Sequence, residues 1–321
     1  MPAAPKKLNK PALRRIAQTV FDTVAGKGVV AALSRNRSRD HLRILAYHGV
    51  DDPGRFRDQM EHLREFYVPV SVDQVLDSLG GAPLPRLAVW VTFDDGHSSV
   101  IERGLAVTER LDIPITLFVC PAVIDTDQPL WWQSVMQVQR SAGDPEDLIR
   151  HLKTRADKER REIVRRLVET AIERGVARPT QPQLTSDSLD RLAGTSATIG
   201  NHTWDHPTLN TCEPPDQVSQ IRRAHSFLRD KRQFRPVLAY PNGNWTLEAE
   251  TAAQDLGYRL GLLFDHRLTN TAAPRFRWSR LRVASDTPMQ RFAAILSGAH
   301  ASVHHRREAI HARARAFNRG G

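Results

Sequence analysis

The sequence predicts an α/β protein whose strands run parallel, in a sheet or a barrel, and three observations carry this. The apolar run "LAVWV", Leu87 to Val91, lacks polar alternation and reads as a strand buried on both faces. Short runs of this kind alternate with stretches whose apolar residues recur at helical spacing, the rhythm of parallel strands joined by crossover helices. A chain of 321 residues, 40% hydrophobic, is long enough for one large domain of this class or two modest ones.

Residues 1–40 form a basic leader in which Leu13, Ile16, Ala17, Val20, Phe21 and Val24 keep helical spacing. Asp22 and Lys27 interrupt any signal-peptide core and no clean cleavage site follows, so the leader is expected to be retained. It reads as a helix lying on an anionic membrane surface or packed on its own domain. "LRILAYHGV" is then a short buried strand ending in His48 and Gly49, and "FRDQMEHLREF" sets Phe56, Met60, Leu63 and Phe66 along a helix. "YVPVSVDQVLDSL" leads into another helix, and "LAVWVTFDDG", "SVIERGLAVTERLD" and "IPITLFVC" follow as strand, helix and strand.

The rhythm breaks at about 122–194. There "PLWWQSVMQVQR" and a charged stretch with Leu148, Ile149, Leu152, Ile163, Val164 and Leu167 at helical period predict a helical insertion with one face on the main domain. Trp131 and Trp132 fit a core plug or a substrate platform equally well. "ATIGNHTWDHPTL" resumes the alternation, followed by helix "PDQVSQIRRAHSFLRD", strand "PVLAYPNGNW", helix "LEAETAAQDLG", strand "RLGLLF" and "RWSRLRVASD". The main domain is expected over 41–298, and a basic tail over 299–321.

A formal net charge of +10 favours anionic neighbours such as phospholipid headgroups, acidic polysaccharide, pyrophosphate carriers or nucleic acid. Nucleic acid is not expected, because no basic-aromatic recognition motif is present. Cys120 and Cys212 are the only cysteines, which excludes a cysteine-based zinc cluster and fits a reducing compartment. No run of about 18 uncharged apolar residues appears, so a spanning helix is not expected. The expected location is cytoplasmic, with peripheral contact to an anionic membrane.

The chemistry gathers at strand ends. "TFDDG" places Asp94 and Asp95 side by side at the end of the buried strand, where like charges are either solvated in an exposed turn or occupied. In parallel α/β folds, function collects at the carboxyl ends of strands. "HTWDHP" sets His202 and His206 four apart, and Pro207 makes a single turn or loop the natural setting for the pair. Two imidazoles and a carboxylate form the ligand set of an open, catalytic metal site rather than a closed structural one.

"TFDDG", "HTWDHP" and "AYPNG", in that order and each at a predicted strand end, resemble the first three motifs of the polysaccharide deacetylase (NodB homology, carbohydrate esterase 4) family. "LAYHGV" and the "LWW" insertion further resemble members from exopolysaccharide and lipopolysaccharide biosynthesis. The likeness covers about residues 42–290. It implies a distorted, incomplete (β/α) barrel of the NodB type and hydrolysis of the N-acetyl group of an N-acetylhexosamine unit, in a polysaccharide or a lipid-linked sugar. By the same resemblance Asp95, His202 and His206 bind a divalent ion, zinc foremost, and Asp94 is the general base. Thr203 matches a small hydroxyl residue that in the family steadies the turn, but a plain helix-start role is the favoured reading. Tyr240 is given a backbone N–H facing the oxyanion.

Two departures stand out. Val237, Leu238 and Ala239 occupy the stretch where many members carry a base-orienting arginine, and Arg280 in "WSRLRV" is the candidate substitute. The usual Leu-His motif of the general acid has no convincing copy, His300 being a poor match. His48 is the candidate proton donor, with a structural hydrogen bond as its alternative. A catalytically silent carbohydrate-binding or scaffold protein of the same fold is the competing reading.

Overall fold

The computed structural model describes residues 28–139 and 143–299. The leader helix expected over 13–24, His300 and the tail histidines lie outside them. The chain divides into two compact units, one of which is His41–Ser285. In the other, the helix Gly28–Arg37 meets Met289–Leu296, and the hydroxyls of Ser34 and Ser38 both donate to the Ser297 carbonyl, at 2.9 and 3.0 Å. The larger unit therefore ends at Ser285, short of the expected boundary at 298.

Unit 41–285 is built on eight parallel strands: β1 (Arg43–Tyr47), β2 (Val68–Pro69), β3 (Ala88–Phe93), β4 (Ile115–Val119), β5 (Thr198–Asn201), β6 (Phe234–Ala239), β7 (Leu260–Leu262) and β8 (Leu281–Arg282). Their order is β7-β6-β5-β4-β3-β1-β8, with β2 added on β3. The segment Trp278–Arg282 touches both ends of this order. Trp278 bridges Leu262 of β7, while Leu281 and Arg282 pair with Leu45 and Ala46 of β1. Every residue of β1, β3, β4 and β5 is buried, which explains why β3 and β4 run almost wholly apolar without alternation.

Alternate strand residues, among them Ile44, Trp90, Phe118, Val237, Ala239, Leu260 and Leu262, join Trp278 in one core cluster. Polar rungs cross it. Trp90 donates its indole N–H to Thr116 at 2.9 Å, and the Thr116 and Thr198 hydroxyls share a 2.9 Å hydrogen bond. Gly200 is glycine because of this packing: a Cβ there would lie 2.6 Å from the Phe118 ring and 3.0 Å from Val237.

Between β4 and β5 run the helices Trp131–Val138, Pro145–Leu152, Asp157–Glu173 and Ser186–Arg191. Val135, Leu152 and Val164 form their shared core, with Trp131, Leu148, Ile163 and Leu167 packed against it. The apolar residues predicted at helical period are thus the ones that face inward, and the charges between them pair along the surface, as Arg165 does with Glu162 and Glu169.

Candidate active site

Side chains two apart on a strand share a face, so Trp90, Thr92 and Asp94 point the same way. Asp94 still belongs to the ladder, its N–H donating to Tyr47 at 2.8 Å. Asp95 does not. It adopts φ of 77° and Gly96 follows at 89°, so the chain turns and the two adjacent carboxylates diverge. Asp94 meets Arg280, whose two terminal nitrogens reach its two oxygens at 2.7 and 2.8 Å. Arg280 lies two residues beyond Trp278, is fully buried, and is fixed by a 2.8 Å bond from Nε to the Leu263 carbonyl. Burial opposes ionisation of Asp94, but the Arg280 guanidinium and His202 outweigh it and hold its pKa below the usual carboxylate value.

The loop after β5 brings in the histidines. No helix starts there: Thr203 and His206 take φ of 69° and 58°, and the Thr203 N–H donates to the Asn201 side chain at 2.7 Å. Left-handed backbone at a β-branched residue costs about 1–3 kcal/mol, and it persists because neighbours over-determine the loop. Gln220 accepts from the N–H groups of Trp204 and Asp205 at 3.0 and 3.2 Å. From the insertion, Arg161 grips the Asp205 carboxylate through two bonds of 2.8 and 3.0 Å.

His202 shares a 2.8 Å hydrogen bond between Nδ1 and the Ala239 carbonyl, so the proton sits on Nδ1 and Nε2 keeps its lone pair. That Nε2 stands 3.3 Å from Asp95 Oδ1, and His206 Nε2 stands 3.5 Å from the same oxygen. Burial lowers the His202 pKa, yet the Asp94 and Asp95 carboxylates raise it above the ordinary value. His206 is driven down to about 3 by burial, with His202 adding to the effect against Asp95. Asp95 Oδ1 is buried without a hydrogen-bond partner, and one ligand atom from each of Asp95, His202 and His206 lies within 4.8 Å of the others. With the imidazoles neutral, three acceptor atoms converge there, a set that fits a divalent cation.

The pocket above them, about 120 Å³, is lined by His48, Asp94, Trp132, Lys153, His202, His206, Asn242 and Phe264. The two tryptophans divide their roles. Trp131 packs in the insertion core under Arg160, and Trp132 lies 4.3 Å from the His206 ring, centroid to centroid. His48 is half exposed, with Nε2 4.0 Å from Asp95 Oδ2 and its ring edge-on to Phe264. Tyr240 departs from expectation. Its N–H donates to the Leu262 carbonyl at 3.0 Å because the β6–β7 ladder runs one residue past Ala239, and its ring is buried among Leu209, Ala249 and Phe276. Asn242 reaches the pocket instead, on a turn where it and Gly243 take φ of 56° and 75°.

A family model described as polysaccharide deacetylase matches residues 81–261, more than half of the chain. The chain belongs to the polysaccharide deacetylase family. Among curated relatives, the poly-beta-1,6-N-acetyl-D-glucosamine N-deacetylase of Escherichia coli (strain K12) is 31% identical over 125 residues, 30% of this chain and 19% of that protein. The chain spans only about a fifth of that relative's length. Of solved structures, the Streptococcus pyogenes deacetylase PplD in complex with acetate matches with a TM-score of 0.57 at 17% identity, covering 80% of this chain and 98% of that one. IcaB from Ammonifex degensii gives 0.57 at 19%, covering 80% and 97%. At such identities the likeness is one of fold, the distorted (β/α) barrel of the polysaccharide deacetylases.

Of the residues singled out from the sequence, Asp94, Asp95, His202, His206, Arg280 and His48 meet around one pocket, and Tyr240 does not. Asn242 and Lys153 were missed. The Asn-Gly dipeptide, a turn signal, was the clue to Asn242. Lys153 left none, lying in a charged stretch that reads as a solvated face.

Proposed function

We propose that this polysaccharide deacetylase hydrolyses the N-acetyl group of an N-acetylhexosamine unit in a polysaccharide or lipid-linked sugar, with a divalent ion, zinc foremost, held by Asp95, His202 and His206. The observation that carries the reading is the split of the aspartate pair, Asp94 on Arg280 and Asp95 on the two histidines. Such an ion, when bound, would polarise the amide carbonyl and lower the pKa of water to about 7.

The protein's own groups do the rest. Asp94, kept ionised, accepts the proton of the attacking water, and Arg280 fixes the plane of its carboxylate. Asn242, whose buried Nδ2 has no partner, faces the developing oxyanion in place of Tyr240. His48, half exposed at the rim, delivers a proton to the departing amine. Trp132 and Phe264 supply apolar walls for the acetyl methyl and the sugar face. A silent scaffold would have no use for two buried carboxylates, one of them with an unsatisfied oxygen. The basic termini bring the protein to anionic lipid or to a pyrophosphate-linked sugar at the cytoplasmic face of a membrane.

The test is acetate release from N-acetylated oligosaccharides, with bound metal measured on the same samples. Asp94→Asn should slow turnover about 10²-fold to 10⁴-fold with metal content unchanged. Full activity in that variant would remove Asp94 as the base, and loss of metal would make both carboxylates ligands.

A further inference from the structure

Among the described residues, Lys153 is the one lysine or arginine lining the pocket. It follows the helix Pro145–Leu152 directly, and Leu152 beside it is anchored in the insertion core with Val135 and Val164. Several other cations of the insertion are paired: Arg155 with Glu159, Arg161 with Asp157 and Asp205, Arg165 with Glu162 and Glu169. Lys153 has no ion-pair or side-chain hydrogen-bond partner among the described residues. Of the nearby carboxylates, Asp94 is held by both guanidinium nitrogens of Arg280, and Asp95 faces the two imidazoles at 3.3 and 3.5 Å. Arg282, whose guanidinium lies 4.9 Å over the ring of the pocket residue Phe264, adds a second positive charge nearby. Burial first, and Arg282 second, lower the Lys153 pKa and outweigh the opposing pull of the Asp95 carboxylate, so the ammonium is held where it is costly.

We infer that Lys153 forms an anion subsite at the pocket, which binds a carboxylate or phosphate group on the substrate adjacent to the N-acetylated sugar. This rests on the deacetylase reading for the position of the sugar, and on pocket geometry for the charge. A pocket of about 120 Å³ takes the acetamido group and part of its ring, so the neighbouring unit of the substrate lies at the rim beside Lys153. A hydrogen-bonded contact to a charged group contributes about 1.5–3 kcal/mol, a preference of roughly ten- to a hundredfold.

The experiment measures equilibrium binding of three oligosaccharides to the full chain: a neutral N-acetylglucosamine oligomer, the same oligomer with a phosphate at its reducing end, and one with a uronic acid next to the N-acetylated sugar. Wild type should bind at least one charged oligomer about tenfold or more tightly than the neutral one. Which one it prefers identifies the source of the anion. In Lys153→Gln that preference should fall below about twofold, and Lys153→Arg should keep part of it, showing that the loss is of charge and not of fold. No preference in wild type, or a preference that survives in Lys153→Gln, overturns the subsite. Acetate release by wild type from the same oligomers tests the underlying reading separately. Release without charge preference sinks the subsite alone, and charge-dependent binding without release sinks the deacetylase activity while the subsite stands.

Discussion

The pair that matters most at the level of single residues is Arg280 with Asp94, two buried charges joined by two hydrogen bonds. A buried ion pair adds little net stability over apolar residues of the same size, but removing one member strands the other. Arg280→Met should therefore cost about 3–5 kcal/mol in urea unfolding, and adding Asp94→Asn should return part of that. A single-variant loss below about 1 kcal/mol would mean that water reaches Asp94 and that the pair is not sealed. Arg280→Lys should not restore activity, because an ammonium cannot hold both carboxylate oxygens in one plane. The pair was readable from sequence only in part. The missing arginine before "YPNG" invited a substitute, and Arg280 stood on a later strand with the parity of Trp278; its reach across the barrel mouth to Asp94 is a property of closure that no local pattern encodes.

Individual elements place the site by what they leave out as much as by what they contain. β5 carries Gly200 where the Phe118 ring crosses the interior, and His202 follows two residues on, facing the same way. Gly200→Ala should destabilise the barrel by about 1–3 kcal/mol, since Phe118 is fully buried and has no room to give. Thermal unfolding of the variant, alone and with Phe118→Leu, checks this: the second change should recover stability if the ring is the obstacle. The strand–helix rhythm was legible because it depends on burial periodicity, which short-range sequence expresses. The ends of elements were less so. Tyr240 was placed at the oxyanion because "AYPNG" follows a strand, yet the β6–β7 ladder extends one residue further and consumes its N–H. Thr203 sits in left-handed backbone rather than at a helix start, a conformation its side chain disfavours and only the surrounding hydrogen bonds impose.

For the whole molecule, the excess of cations and the buried cluster of acceptors give two global measurements. With a net charge of +10 and about 1 kcal/mol per Lys or Arg near an anionic surface, association with vesicles containing acidic lipid should fall steeply between low and physiological salt; binding indifferent to lipid charge would leave the basic termini without this role. The second measurement concerns stability. Asp95 Oδ1 and the Nε2 atoms of His202 and His206 converge as a set of donor atoms suited to a divalent cation. An unfolded chain does not assemble them, and binding to the folded form alone shifts the folding equilibrium by about 2.7 kcal/mol at a free-ion concentration one hundred times Kd. For a unit of this size each kcal/mol moves Tm by about 2–4 °C, so zinc should raise the main unfolding transition by about 5–11 °C, and a chelator should reverse it. His206→Ala removes one ligand and should abolish most of that rise while leaving the Tm without added zinc close to that of the wild type. If zinc raises both proteins equally, the ion binds elsewhere on the chain. If zinc raises neither, Asp95 and the histidines do not form a metal site, and their convergence would be a strained cluster with another purpose.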